Sequence, residues 1–245
     1  MKSLRSFGIE TYIPSCGRWE IATTQKLLHE DDAVFVVRES QKEQYEAKGF
    51  RVKSYPDEEI NSLTKVRQKI IDDCPSDYCL QLDDDITEVH ARTQEVRVQM
   101  ENEDFWNELL RAFCIIDDLK IGVFTIGQEP SGDIRKYNRP FSFVGTGGTI
   151  LGFNKPCLKA RYDPNVGSKV DTDFILQELL YNRIVLVIHY FGVSHDVDIL
   201  PGGQQFRKTS QEVYRSVEYL KAKWSDKIYD FNFDSNTSKI KVKRS

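Results

Sequence analysis

The 245 residues carry 34 Lys and Arg against 38 Asp and Glu, a formal charge of −4, with 40% apolar and 29% charged residues. That balance is ordinary for a soluble globular chain and excludes the low-hydropathy, high-charge composition of disorder. No run of about 18 apolar residues occurs and Met1 to Gly8 lacks the apolar stretch of a secretory signal, so neither a membrane span nor secretion is expected and a cytoplasmic protein is.

Phe7 to Pro14 is β-rich and ends in the loop Pro14, Ser15, Gly17, from which a helical stretch, Glu20 to Glu30, is predicted to depart. Ala33 to Val37 is a short apolar run, as in a strand buried on both faces. A polar helix over Ser40 to Lys48, a stop at Gly49 and a brief strand over Arg51 to Tyr55 follow. In the helix predicted over Asn61 to Asp73, Leu63, Val66, Ile70 and Ile71 form one stripe. Tyr78 to Leu82 is the next strand and runs straight into Asp83, Asp84 and Asp85. This rhythm implies right-handed crossovers and a mainly parallel sheet, with ligands at the carboxyl ends of its strands.

The second half predicts a helix over Phe105 to Leu119, a strand over Ile121 to Ile126 and a polar loop over Gly127 to Pro140. Phe141 to Phe153 reads as two strands joined through Gly145, Gly147 and Gly148. A helix over Asp171 to Asn182, a strand over Ile184 to Tyr190 and a helix over Gln211 to Trp224 complete the pattern. The segment from Gln204 to Ser245 holds ten basic and five acidic residues, a polyanion-docking surface or simply a solvated tail. Cys16, Cys74, Cys79, Cys114 and Cys157 are odd in number with no CxxC pair, so reduced, buried thiols are expected. One α/β domain with decorated loops is the simplest organisation.

The strongest chemical signal is the aspartate triplet. Three adjacent carboxylates repel one another, and a strand end tolerates them when water or a cation compensates. Asp83 and Asp85 point the same way on extended chain, as the ligands of a hard divalent cation shared with substrate phosphates would; an acidic turn capping the next segment is the plain alternative. Asp171 and Asp173 open an apolar helix, where one carboxylate serves as an N-cap and a second is free to act as a general base. His189 sits in an apolar strand and reads as a core or cleft-wall residue, whereas His195 lies past its end and is the better candidate ligand. Gly145 to Gly148 does not continue as GxGxxG, and no GxxxxGK[ST], HExxH or GxSxG occurs, which disfavours dinucleotide oxidoreductases, P-loop phosphotransferases and serine hydrolases.

Taken in order, Ile13-Pro14-Ser15-Cys16-Gly17-Arg18, Lys65-Val66-Arg67-Gln68, Leu82 to Asp85 and Val170 to Phe174 resemble a GT-A-fold glycosyltransferase over roughly Gly8 to Arg207. The resemblance implies a Rossmann-like domain over 1–207, with a donor half to about residue 90 and an acceptor half beyond, and a helix and basic tail over 208–245. It implies Pro14, Ser15, Arg18, Arg67, Asp83 and Asp84 as donor-binding residues, and Mn²⁺ or Mg²⁺ on Asp83, Asp85 and His195. Asp171 and Asp173 are the implied catalytic residues, although Val170 stands where the family's Glu is usual. More narrowly, the KxRQxI, LDDD, DxDF and Pro201-Gly202-Gly203 elements resemble phage-type enzymes that attach sugars to 5-hydroxymethylpyrimidines in DNA. That points to a UDP-linked sugar donor, a hydroxymethylated duplex as partner, no membrane or obligate protein partner, and a host cytoplasm. Gly147, Gly148, Arg135, Arg139, Arg207 and Lys208 are the candidate acceptor-binding residues, with Lys136 beside them. A polysaccharide, lipid or protein acceptor and a catalytically silent binding module remain the alternatives.

Overall fold

The computed structural model describes residues 3–29, 32–92, 97–126, 140–195, 210–234 and 237–242. Four parallel strands set its first half: β1 (Ile9–Pro14), β2 (Ala33–Arg38), β3 (Val52–Tyr55) and β4 (Tyr78–Leu82). They lie in the order β3-β2-β1-β4, with Thr11 opposite both Ala33 and Leu80. Successive side chains leave a strand on opposite faces, so the sheet has two cores. Ile13, Phe35, Leu80 and Leu82 enter one, and Tyr12, Val36 and Cys79 the other.

Helices cover both faces. Tyr45 of α1 (Lys42–Glu46) enters the first core. A long apolar stripe of α3 (Asn102–Asp118), including Phe105, Leu109, Phe113 and Ile116, joins it there. The second core receives Val66, Ile70 and Ile71 of α2 (Leu63–Asp73), Phe174, Ile175 and Leu179 of α4 (Val170–Tyr181), and Val217 and Leu220 of α5 (Ser210–Trp224).

After β4 the chain forms β5 (Ile86–Arg92) and β6 (Arg97–Gln99), then, past α3, β7 (Val123–Ile126), β8 (Phe141–Ser142) and β9 (Ile150–Asn154). β10 (Leu186–Ile188) and β11 (Phe191–His195) follow α4, and β12 (Tyr229–Asn232) and β13 (Thr237–Ile240) follow α5. The main sheet has eight strands in the order β3-β2-β1-β4-β9-β7-β10-β8. β9 runs antiparallel between β4 and β7, and β8 antiparallel at the edge, so the sheet is mixed and mainly parallel, as expected from the sequence. A second antiparallel sheet, β11-β5-β6, stands beside the end of β4.

Several expected elements are corrected. The helix predicted over Glu20 to Glu30 is reduced to a single 3₁₀ turn, Thr24–Leu27. Its two threonines are committed elsewhere, to the backbone of the acidic turn described below. Phe141 to Phe153 does hold two strands joined through the glycines, but they do not pair with each other: β8 pairs with β10, whereas β9 is inserted between β4 and β7. Gly152 makes that insertion possible, because a Cβ there would lie 1.9 Å from the Phe124 ring. The strand predicted over Ile184 to Tyr190 is present in shortened form as β10, and a further strand, β11, follows it in a different sheet. The carboxyl-terminal basic segment is folded in its described part, as α5 and the β12–β13 hairpin that buries Tyr229 and Phe231. All five cysteines are free, but only Cys74 and Cys79 are buried and Cys114 is exposed. Among the described residues no helix is long and apolar enough to cross a membrane.

Candidate active site

The carboxyl ends of β1 and β4 are adjacent, so the loop after β1 faces the aspartates after β4. Arg18, 6% exposed, turns inward and its Nη1 donates to Asp84 Oδ1 at 2.6 Å and Asp85 Oδ2 at 3.0 Å. Ser15 Oγ donates to the other oxygen of Asp84 and lies 2.6 Å from the Tyr45 hydroxyl, which accepts from Arg18 N at 3.1 Å. Pro14 is the last residue of β1, opposite Val36. Thr24 Oγ1 donates to Asp83 O at 2.6 Å and accepts from Ile86 N at 3.0 Å. Thr23 N donates to Asp84 O, and its hydroxyl donates to Ile86 O. These backbone bonds fix the acidic turn and account for the lost helix, since Thr side chains compete readily with regular hydrogen bonding.

A second arginine reaches the site from α2. Arg67, 3% exposed, forks its guanidinium between Asp83 Oδ1 at 2.6 Å and Asp171 Oδ1, and also donates to Gly148 O at 3.2 Å. Planar forked donors suit such bridging. Tyr162, 5% exposed and packed against Phe174 with the rings tilted by 32°, sets its hydroxyl in the field of Arg67. The sequence argument placed Arg18 and Arg67 on donor phosphates; here both face carboxylates, and these arginines supply much of the compensation that had been ascribed to a cation.

Compensation is incomplete. Among the described residues Asp83, Asp84, Asp85 and Asp171 are ion-paired to Arg18 and Arg67, four carboxylates against two guanidiniums. Burial pushes the Asp83 carboxyl up to about 7, Arg67 offsets part of that, and Asp85, Asp171 and Asp84 add repulsion. Asp83 sits among dense neighbours yet keeps 34% of its side-chain surface accessible, so solvent tempers this shift. Asp84 is raised too, by burial first, against Arg18 and Ser15. Burial opposes the charge on Arg67, but Asp171 and Asp83 hold its guanidinium charged beyond its ordinary range.

The residues fit a hard divalent cation in part. Asp83 is accessible, and Asp85 Oδ1 is buried without a hydrogen-bond partner. Among the described residues no three His, Cys, Asp or Glu side chains converge as a complete cage. Two carboxylates completed by phosphate oxygens match the habit of Mg²⁺. The backbone of His195 pairs with Ile86, one residue beyond Asp85, at an irregularity in the β5–β11 ladder; its side chain lies outside the described residues.

Asp171 and Asp173 separate. The N-cap of α4 is Lys169, without a side-chain capping bond, so neither aspartate is the cap expected from sequence. At about 100° per residue the two project from nearly opposite sides of the helix. Asp171 faces Arg67, while Asp173, 1% exposed, accepts from Gln177 Nε2 at 2.8 Å, Lys223 Nζ at 3.0 Å and Trp224 Nε1 at 2.7 Å. The structure thus does not bring Asp173 to the acidic turn beside Asp171: its carboxylate accepts from three neighbours on the other side of the helix. Sequence reasoning missed Thr23, Thr24, Tyr45 and Tyr162, none of which stands in a recognisable motif.

Gly147 and Gly148 are buried and serve close packing. A Cβ on Gly147 would lie 1.8 Å from Thr125 Oγ1, and one on Gly148 2.8 Å from Asp171 Oδ2. Gly148→Ala is expected to fold, because the atom it meets ends a side chain that can yield, but to displace the Asp171 carboxylate. Gly147→Ala meets a fully buried strand residue instead and is expected to lower the melting temperature. Thermal melts of the two variants side by side check this; equal melting temperatures would contradict it. Arg135, Lys136, Arg139, Arg207 and Lys208 lie outside the described residues.

No family model matches this chain, and no curated protein matches it. Among solved structures, S. aureus TarS 1-349 in complex with UDP is 14% identical, over 89% of this chain and 72% of that one, with a TM-score of 0.50. Glucosyl-3-phosphoglycerate synthase from Mycobacterium tuberculosis, in complex with Mg²⁺ and UDP, is 10% identical over 95% of this chain and 86% of that one, with a TM-score of 0.49. The likeness to TarS is one of architecture, and the chain has the α/β fold of the GT-A type.

Proposed function

We propose that the protein is a metal-dependent glycosyltransferase that uses a nucleoside-diphosphate sugar, UDP-linked by preference. The observation that carries this reading is the crowding of carboxylates at the end of β4: among the described residues four of them are paired to two guanidiniums, burial raises Asp83 and Asp84, and Asp85 Oδ1 is buried without a hydrogen-bond partner. Asp83 and Asp85 would hold Mn²⁺ or Mg²⁺, which supplies neutralisation of the negative charge that develops on a departing diphosphate. Arg67 keeps Asp83 and Asp171 on a common anchor, so the end that receives the diphosphate and the end that receives the acceptor are fixed relative to one another. Asp171, with 22% of its side-chain surface accessible, is the group available to take the acceptor hydroxyl's proton. Arg18 and Ser15 keep Asp84 and Asp85 oriented.

For the acceptor we propose the hydroxymethyl group of 5-hydroxymethylcytosine in DNA, supported by the order of the IPSxGR, KxRQxI, LDDD, DxDF and PGG elements. The test is incubation with Mn²⁺, a panel of UDP-sugars and hydroxymethylated or plain DNA, followed by digestion to nucleosides and mass spectrometry. A hexose or pentose increment on the hydroxymethylated base is expected. UDP release without a modified nucleoside would remove the DNA acceptor, and no UDP release from any donor with any acceptor would remove the glycosyltransferase.

A further inference from the structure

The start of α4 is held in an uncommon backbone conformation by the carboxyl-terminal segment. Lys169, immediately before the helix, has φ 62° and ψ 32°, the left-handed region that costs a non-glycine residue and persists where its surroundings over-determine it. Those surroundings come from α5 and β12. Ser168 N donates to Ser216 Oγ at 3.0 Å, Lys169 Nζ lies 5.2 Å from the centre of the Phe231 ring, and Lys223 and Trp224 both donate to Asp173. Lys223 Nζ also reaches Asp163 Oδ2 at 2.7 Å, and the Tyr219 hydroxyl donates to that same oxygen at 2.8 Å. The stretch 163–173 is thus gripped at both ends, and Asp171 lies inside it.

We propose that α5 and β12 form a positioning clamp for Asp171, with Asp173, Lys223 and Trp224 as positioning residues. The inference rests on the reading of Asp171 as the base. Nearly opposite projection from α4 lets one aspartate anchor the helix while the other faces the acidic turn, so the clamp sets the depth and rotation at which Asp171 meets Arg67 and the acceptor. Loosening it moves the Asp171 carboxylate most directly; Asp84 and Asp85 are held by Arg18, and Asp83 is reached through Arg67.

Lys223→Met, Lys223→Arg and Trp224→Phe test this. Lys223→Met and Trp224→Phe are expected to lower kcat for sugar transfer by about ten- to a hundredfold, the scale of a small misplacement of a reacting group, with the donor KM within about twofold of wild type. Lys223→Arg restores most of the rate because it keeps a donor for Asp163 and Asp173. Amide hydrogen exchange, read on the same proteins, is expected to speed up over residues 168–173 in Lys223→Met and not in the β1–β4 strands. Should Trp224→Phe fail to fold, the two Lys223 variants carry the comparison alone. Unchanged kcat in folded Lys223→Met, parallel changes in kcat and donor KM, or unaltered exchange at 168–173 would overturn the clamp. Wild-type protein without transfer activity would instead overturn the glycosyltransferase, and the exchange measurement would still decide whether the clamp exists.

Discussion

Asp83→Asn and Asp85→Asn are each expected to reduce sugar transfer by about 10²- to 10³-fold, the usual cost of losing one element of transition-state charge stabilisation, while leaving the protein folded. Neither change strands a buried arginine: Arg67 keeps Asp171, and Arg18 keeps Asp84. Binding of UDP in the presence of Mn²⁺, followed by calorimetry, should be lost in both variants. Wild-type affinity in either one would show that its side chain does not hold the cation. The raised Asp83 carboxyl adds a pH signature. With its midpoint near 7, protons compete with the cation, so Mn²⁺-dependent UDP affinity in the wild type falls as pH drops from about 8 to about 6. In cation-free protein the folded state binds the extra proton between the unfolded value of about 4 and the folded value near 7. Stability from this group is therefore present at low pH and declines as pH rises through that window. Asp83→Asn should remove that slope from a plot of melting temperature against pH.

The parts of the fold that were legible in the sequence are those whose signal is local. Tyr78 to Leu82 is apolar, short and stopped by charge, and β4 occupies those residues. Leu63, Val66, Ile70 and Ile71 repeat at helical spacing, and α2 follows them. What escaped depends on partners distant in the chain. Arg18 lies 66 residues from Asp84, and Arg67 lies 104 from Asp171, so nothing near either arginine announces a carboxylate. The stretch over Glu20 to Glu30 has helical composition, but Thr23 and Thr24 bond to the turn after β4 and their contribution is decided there. β5 alternates without a clear apolar face, and its pairing with β11 supplies what its own sequence does not. The β12–β13 hairpin did carry a period of two, with Tyr229 and Phe231 inward and Asp230 and Asn232 less buried, yet the excess of basic residues around it read as a polyanion-docking surface or a solvated tail. Asp173 was placed by its proximity to Asp171, and the rotation of the helix sends one towards Arg67 and the other towards Lys223 and Trp224.

Arg67→Met should be the most destabilising single change at the site. The methionine fills the buried stem volume but removes the guanidinium that bridges Asp83 and Asp171 and the donor that Arg67 gives Gly148 O. Removing one partner of a buried pair costs about 3–5 kcal/mol. The lower end applies, because Asp83 and Asp171 keep 34% and 22% of their side-chain surfaces accessible. For a chain of this length about 3 kcal/mol corresponds to a melting temperature lower by roughly 6–12 °C. Arg67→Lys should recover only part of the loss, since a single ammonium lacks the planar fork that spans two carboxylates. The sign of the pH response separates charge from packing. In Arg67→Met the two carboxylates are relieved by protonation, so the deficit relative to wild type should shrink as pH is lowered from about 8 to about 5. Adding Asp83→Asn and Asp171→Asn to Arg67→Met should restore melting close to wild type at neutral pH while transfer stays abolished. A deficit that persists in this triple variant would assign the role of Arg67 to packing, and a single variant that melts within 2 °C of wild type, on the same scale of roughly 2–4 °C per kcal/mol, would mean that the bridge contributes little to the fold.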